Sequence, residues 1–111
     1  MRTSVHGLVW LLAAVAVSLM VTGCGGQSSG AGETAIGRSV FVKAGCSGCH
    51  TLRDAGATGT ACPNLDRANP DKRRVVDFVT AGGVGMPAFR QLLTPDEVDA
   101  VATYVAAVAG N

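Results

Sequence analysis

A chain of 111 residues with nine basic and eight acidic side chains has room for one domain and a formal charge of only +1. So small a charge excludes a general electrostatic attraction to nucleic acid or to an anionic membrane surface. Because a domain of this size buries a modest core, we expect an additional stabilising feature.

The N-terminal segment has the pattern of a targeting signal. Arg2 precedes an apolar run over residues 8–21 that only Ser18 interrupts. The run is too short for a comfortable membrane span and is typical of a secretory signal peptide. The alternative is an anchor helix that is not cleaved.

The apolar run ends in Val21-Thr22-Gly23-Cys24, which resembles the lipobox of bacterial lipoproteins. In that pattern the cysteine thiol takes a diacylglycerol group and the signal is cut just before it. Lipid on Cys24 would hold the protein at a membrane surface. Ordinary cleavage or retention of the signal is the alternative.

These signals divide the chain into three parts. We expect a signal peptide over residues 1–23, a lipidated flexible tether over 24–33 and one domain over 34–111. The tether is predicted from its Gly, Ser, Gln and Ala content. Cleavage before Cys24 would leave eight basic and eight acidic side chains.

A helical pattern begins at about Thr34. Ile36, Val40, Phe41 and Ala44 recur at three- and four-residue spacing. The predicted helix leads directly into the most informative motif of the chain.

That motif is Cys46-Ser47-Gly48-Cys49-His50, a C-x-x-C-H pattern typical of covalent c-type haem attachment. Two cysteines on one helical turn can reach the two vinyl groups along one edge of a haem. His50 then lies beneath the ring, where a neutral imidazole nitrogen can bind iron. The motif predicts one haem c, bound covalently through Cys46 and Cys49.

Two other interpretations of these residues stay open at this point. Cys46, Cys49, His50 and Cys62 would also form a Cys3His zinc set. A thioredoxin-like dithiol is the other alternative, although it needs a βαβ context that the sequence does not show.

Residues 51–69 are rich in Gly, Ala, Thr, Asn and Pro and predict a loop. Asn69 as a cap, followed by Pro70 and Asp71, predicts the start of a second helix. An apolar face of valines and one phenylalanine continues that helix until Gly82.

A second loop is predicted over residues 82–93. Thr94 as cap, Pro95 at the first position and Glu97 as the partner of a capping box start the last helix, which runs to Gly110. No segment shows strand alternation, so the prediction is an all-α domain with three helices and two long loops. Loops of this length in a compact domain are expected to serve a ligand.

The second loop contains the candidate for a second iron ligand. Once residues 1–23 are removed, His50 is the only histidine and Met86 the only methionine, which excludes a pair of histidine ligands. The glycines around Met86 permit close approach to a ring, and Pro87 stiffens the turn. We expect Met86 to bind the iron; the alternative is a methionine that fills a core gap.

Taken in order, these features resemble small class I cytochromes c over about residues 34–109. The resemblance implies the class I cytochrome c fold, with three main helices and long loops wrapped around one covalently attached haem. It also implies that the first and last helices cross near Gly37. The matching motifs are Gly37-x-x-x-Phe41, Cys46-x-x-Cys49-His50, Pro63-Asn64-Leu65, Met86-Pro87 and the last helix from Leu93 through Glu97 and Val98 to Tyr104-Val105.

The resemblance further implies that the Pro63 carbonyl oxygen accepts a hydrogen bond from His50 Nδ1–H, which fixes the histidine tautomer. The sequence departs from the family at Cys62, where a glycine often precedes the proline. Cys62 is interpreted as an inert buried thiol or as a residue that pairs with another chain. A redox-sensing thiol is a third alternative, although no charged neighbour at adjacent positions supports it.

With His50 and Met86 as ligands, the iron keeps no free coordination position. We therefore expect one-electron transfer rather than catalysis at the metal. One alternative is a haem-based sensor or enzyme subunit in which Met86 dissociates to admit a small ligand. A zinc or thiol-redox lipoprotein is the other, and it leaves the Met86 loop without a role.

We expect a monomer that works with redox partner proteins, does not bind nucleic acid, and is anchored through Cys24 at the extracytoplasmic face of a bacterial membrane. Lys72-Arg73-Arg74 is the only basic cluster. It is either a solvated face or a docking patch for an acidic partner. If it is a docking patch, replacing all three residues by Glu should slow electron transfer at low salt.

Overall fold

The computed structural model describes residues 29–111. The predicted signal peptide and Cys24 lie outside the described residues. The elements follow in the order α1 (Ser29–Lys43), a 3-10 turn (Cys46–Gly48), β1 (Thr51–Leu52), β2 (Ala57–Thr58), α2 (Leu65–Ala68), α3 (Lys72–Ala81) and α4 (Pro95–Val108).

The predicted helical fold is confirmed, and α1, α3 and α4 are its three main helices. The predicted loop over residues 51–69 holds two small elements that the sequence pattern did not indicate. One is the antiparallel pair β1–β2, with Thr51 opposite Thr58 and Gly56 at a φ of 65° in the intervening turn. Strands of two residues are too short to show alternation.

The other small element is the one-turn helix α2. The Asn64 side chain accepts a hydrogen bond from the Arg67 amide at 3.1 Å and so caps its start. Asn69, at a φ of 40°, ends it in the left-handed conformation. One turn cannot display a helical period, which is why composition alone suggested a loop.

Helix α1 begins at Ser29, before the predicted Thr34, so the second half of the predicted tether is helical. The glycines there argue for flexibility, but side chains stabilise the first turns. Thr34 Oγ1 donates to the Gly30 carbonyl oxygen at 2.7 Å, and Glu33 accepts from Thr103 of α4 at 3.4 Å.

The caps of α3 and α4 differ in how well the sequence predicted them. Asp71, rather than the predicted Asn69, caps α3, because its carboxylate accepts from the Arg74 amide at 2.8 Å. The capping box of α4 is confirmed: Thr94 and Glu97 each accept from the backbone amide of the other.

Helices α1 and α4 cross in direct contact at Gly37. A Cβ atom at Gly37 would overlap the Ala100 carbonyl oxygen and lie 2.5 Å from Tyr104 Cβ. Beside this point Phe41, 1% exposed, and Tyr104, 0% exposed, meet edge to face with ring centroids 6.0 Å apart. The predicted crossing is therefore present, and it forms the main apolar core.

Two polar contacts fix the other elements to this core. Tyr104 donates its hydroxyl to Asp54 Oδ1 at 2.6 Å, which holds the β1–β2 turn against α4. Lys72 of α3 forms an ion pair with Asp99 of α4 at 2.8 Å. No helix within residues 29–111 is long and apolar enough to span a membrane.

Candidate haem-binding site

A cleft of about 200 Å³ lies between α3, α4 and the loops that carry the sequence motifs. Binding clefts for organic ligands have mostly apolar walls with a few polar groups. The apolar part of this wall comes from the four helices, from Pro70 between α2 and α3, and from the second loop: Phe41, Leu65, Ala68, Pro70, Val75, Phe78, Val79, Val84, Val101 and Val105.

The cleft brings together most of the residues that the sequence predicted for the site. Cys46, His50, Pro63 and Met86 all line it, although Met86 is 36 positions beyond His50 in the chain. Cys49 is exposed and is not among the lining residues. Its carbonyl oxygen accepts the Cys62 amide at 3.0 Å, so Cys49 lies beside a lining residue.

The C-x-x-C-H motif folds as one tight turn directly after α1. Gly45, at a φ of 80°, takes the left-handed conformation that ends the helix and redirects the chain. The Cys46 carbonyl oxygen then accepts from the amides of both Cys49, at 3.2 Å, and His50, at 2.9 Å. A single carbonyl thus fixes the relative placement of the two cysteines and the histidine.

His50 is oriented by the loop that follows β2. Its Nδ1 lies 2.8 Å from the Pro63 carbonyl oxygen. A carbonyl can only accept, so Nδ1 carries the proton and Nε2 keeps its lone pair in the neutral ring. This is the tautomer that metal-binding histidines use when a backbone carbonyl orients the ring through its other nitrogen.

Met86 is held in a tight turn after α3. Gly83 and Met86 exchange backbone hydrogen bonds of 2.9 and 3.1 Å, and Gly85 between them has a φ of 76°. Gly82 has a φ of 74°, and a Cβ there would lie 2.8 Å from the Met86 carbonyl oxygen. Both glycines are therefore required by the turn that presents Met86 to the cleft.

The thiols lie in an apolar setting. Burial raises the pKa of the Cys46 thiol above its usual range, against a backbone hydrogen bond that lowers it. Desolvation and the neighbouring Cys49 also raise the pKa of Cys62. Cys62 therefore stays a thiol near neutral pH, and it is a half-buried residue at the wall of the cleft.

The zinc alternative finds no support in the arrangement of the side chains. Within residues 29–111, no group of three or more His, Cys, Asp or Glu residues has a metal-binding arrangement. The dithiol alternative also lacks its βαβ context, because the elements found are helices and one two-stranded ribbon.

A haem fits the residues that are present. The cleft has apolar walls, Cys46 lies in its wall with Cys49 one turn away, and His50 and Met86 offer the nitrogen and sulfur donors. Sequence reasoning did not assign the charged lining residue, Arg74, to the site. The four-residue spacing of Arg74 and Phe78 on α3 was the available signal, since it places both on one face.

Comparisons with known proteins agree with this site. A family model described as cytochrome C oxidase, cbb3-type, subunit III matches residues 32–105. A cytochrome c6 of Gloeothece citriformis is 33% identical over 102 residues, which cover 86% of this chain and 90% of the relative. A cytochrome c6 of Rippkaea orientalis is 36% identical over 90 residues, covering 71% and 74%.

Among solved structures, the crystal structure of the c-type cytochrome SorU from Sinorhizobium meliloti matches with a TM-score of 0.69 and 46% identity. The match covers 72% of this chain and 94% of that chain. Fold and site together define a small class I c-type cytochrome, which carries covalently attached haem c and transfers electrons rather than acting as an enzyme. The chain belongs to the family whose model is described as cytochrome C oxidase, cbb3-type, subunit III.

Proposed function

We propose that this protein transfers single electrons through a haem attached at Cys46 and Cys49 and ligated by His50 and Met86. The observation that carries the proposal is the shared cleft, in which His50 has its Nδ1 committed to Pro63 while Met86 lines the same cavity. Bound there, haem supplies a reversible one-electron couple between Fe(II) and Fe(III).

The chain's own residues set the properties of that couple. The Pro63 carbonyl oxygen accepts a hydrogen bond from His50 Nδ1–H, which makes the other ring nitrogen a stronger electron-pair donor to a metal. A thioether sulfur from Met86 favours Fe(II), so it raises the reduction potential relative to a second histidine. The turn that holds Met86 and the apolar walls exclude water and keep the ligands in place.

The position of the protein in the cell forms part of the same proposal. Val21-Thr22-Gly23-Cys24 supports cleavage before Cys24 and lipidation of its thiol. The domain would then lie at the extracytoplasmic face of a bacterial membrane, where donor and acceptor proteins meet it. Metabolic labelling with a fatty acid, lost in a Cys24→Ala variant, tests this part separately.

The experiment for the haem assignment is a visible spectrum of protein made in a host that attaches c-type haem. We expect sharp reduced α and β bands, and haem that stays with the chain in acid-acetone. The reduced protein should not bind carbon monoxide at neutral pH. A colourless protein would contradict the proposal, and carbon monoxide binding would favour a haem sensor or enzyme subunit.

A further inference from the structure

Arg74 is the one side chain with a permanent charge among the residues that line the cleft. The rest of the wall is apolar apart from two thiols and His50, and none of these brings a fixed positive charge. Two haem propionates, by contrast, would bring two negative charges to this site. A carboxylate placed against such a wall is costly unless a cation or hydrogen-bond donor meets it.

The placement of the Arg74 side chain leaves it able to bind a carboxylate. Its guanidinium lies over the Phe78 ring, 5.5 Å from the ring centroid. A guanidinium that stacks through its flat face keeps the N–H groups along its edge available. Those N–H groups match the two oxygens of a carboxylate.

Within residues 29–111, no hydrogen bond or ion pair of the Arg74 side chain accounts for a cation at this wall. The capping of α3 uses the Arg74 backbone amide, which donates to Asp71. The ion pair between α3 and α4 is made by Lys72. Apart from its stacking on Phe78, the Arg74 side chain is therefore dispensable for α3.

We propose that Arg74 is a haem-binding residue whose guanidinium pairs with a haem propionate. The inference rests on the proposed function, because it needs haem in this cleft. It gives the basic cluster a division of roles: Lys72 joins two helices, Arg74 binds the cofactor, and Arg73 remains at the surface.

The reduction potential reports this pairing. A cation near the iron favours the reduced state, which carries one positive charge fewer. Removing the charge of Arg74 also leaves a propionate unpaired, which acts in the same direction. We expect Arg74→Gln to lower the equilibrium constant for reduction about threefold, which is about 28 mV at 59 mV per tenfold change for one electron.

The matched control is Arg73→Gln, which removes the same charge from the adjacent position outside the cleft wall. Its effect should be clearly smaller, whereas Arg74→Lys should restore most of the loss because it keeps the charge. Potentials are measured at low ionic strength on purified holoprotein. Mass spectrometry of each variant first checks that haem is covalently bound.

Equal shifts for Arg74→Gln and Arg73→Gln would overturn the inference and leave the proposed function intact. A wild-type protein without covalent haem would overturn the proposed function itself. If Arg74→Gln fails to fold, nuclear Overhauser contacts in the reduced wild-type protein decide the matter. Contacts between Arg74 Hε or Hδ protons and propionate methylene protons are expected, and their absence would refute the pairing.

Discussion

The two halves of the domain are built on different principles. Where α1 crosses α4, Phe41 and Tyr104 are fully buried against each other and Gly37 touches the opposite backbone. On the side of α3 and its following loop, Val84 is fully exposed, Phe78 is 44% exposed and the side chains line an open cleft. The crossing is complete as protein alone, whereas the other half needs haem to complete its core.

The sharpest way to break the crossing is Gly37→Ala. Its Cβ would overlap the Ala100 carbonyl oxygen, and backbone cannot move aside as a flexible side chain can. We expect a loss of about 3 kcal/mol or more in the free energy of unfolding. Guanidinium unfolding of the holoprotein, followed by far-UV circular dichroism, measures it.

Gly32→Ala, on the same helix, is the control for Gly37→Ala. A Cβ there meets nothing within 4 Å, so alanine should stabilise α1 by up to about 1 kcal/mol. Equal stability of the two variants would mean that the helices do not touch at Gly37.

Met86→Ala tests the other half. It removes a half-buried side chain and the proposed iron ligand, and we expect a loss of about 2 kcal/mol in the free energy of unfolding. The reduced variant should bind carbon monoxide, because a coordination position opens, while its helical circular dichroism is retained. Val84→Ala in the same turn should leave carbon monoxide binding absent. Binding by wild type and both variants alike would exclude Met86 as a stable ligand.

Tyr104→Phe removes the link between the two-stranded turn and the crossing. Loss of the hydrogen bond to Asp54 should cost about 1.5 kcal/mol, since the acceptor is charged. Arg38→Gln, which disturbs an exposed 3.9 Å ion pair with the same carboxylate, should cost less. A larger loss in Arg38→Gln would reverse this assignment of the Asp54 contacts.

The same tyrosine predicts a dependence on pH. Burial, followed by the hydrogen bond and negative charge of Asp54, raises the pKa of Tyr104 above its usual 10.0. The folded state then holds the phenol proton more tightly than the unfolded state. This stability is fully present below pH 10 and is lost as the pH rises above it. The free energies of unfolding of wild type and Tyr104→Phe are measured from about pH 9 to about pH 11, which is roughly one unit on either side of the usual tyrosine pKa. The two free energies should converge at the alkaline end.

The sequence predicted the helices that have long apolar periods and strong end signals. The α4 capping box of Thr94 and Glu97 and the Gly82 end of α3 were confirmed because each depends on neighbouring residues only. The predicted start of α1 at about Thr34 was wrong, because α1 begins at Ser29. A contact with α4 stabilises a segment whose glycines disfavour a helix.

The residues of the candidate site also differ in whether the local sequence identifies them. Cys46, Cys49, His50 and Met86 could be predicted for the site because a short motif or a residue count singles them out. Arg74 was not recognised as a lining residue, because its position depends on how α3 faces the cleft. The four-residue spacing to Phe78 places Arg74 on the same face of α3, but it does not show that this face meets the cleft.

The contact at Gly37 holds α1 against α4. The chain between these two helices therefore forms one closed loop, and this loop contributes most of the cleft wall. The entropy lost on closing such a loop rises only slowly with its length, by about 0.6 kcal/mol for each doubling. Insertions and deletions between α1 and α4 therefore cost the fold little as long as the anchors stay. The segments between the two helices can therefore change in length, while Gly37 packed against Tyr104 keeps the crossing in place.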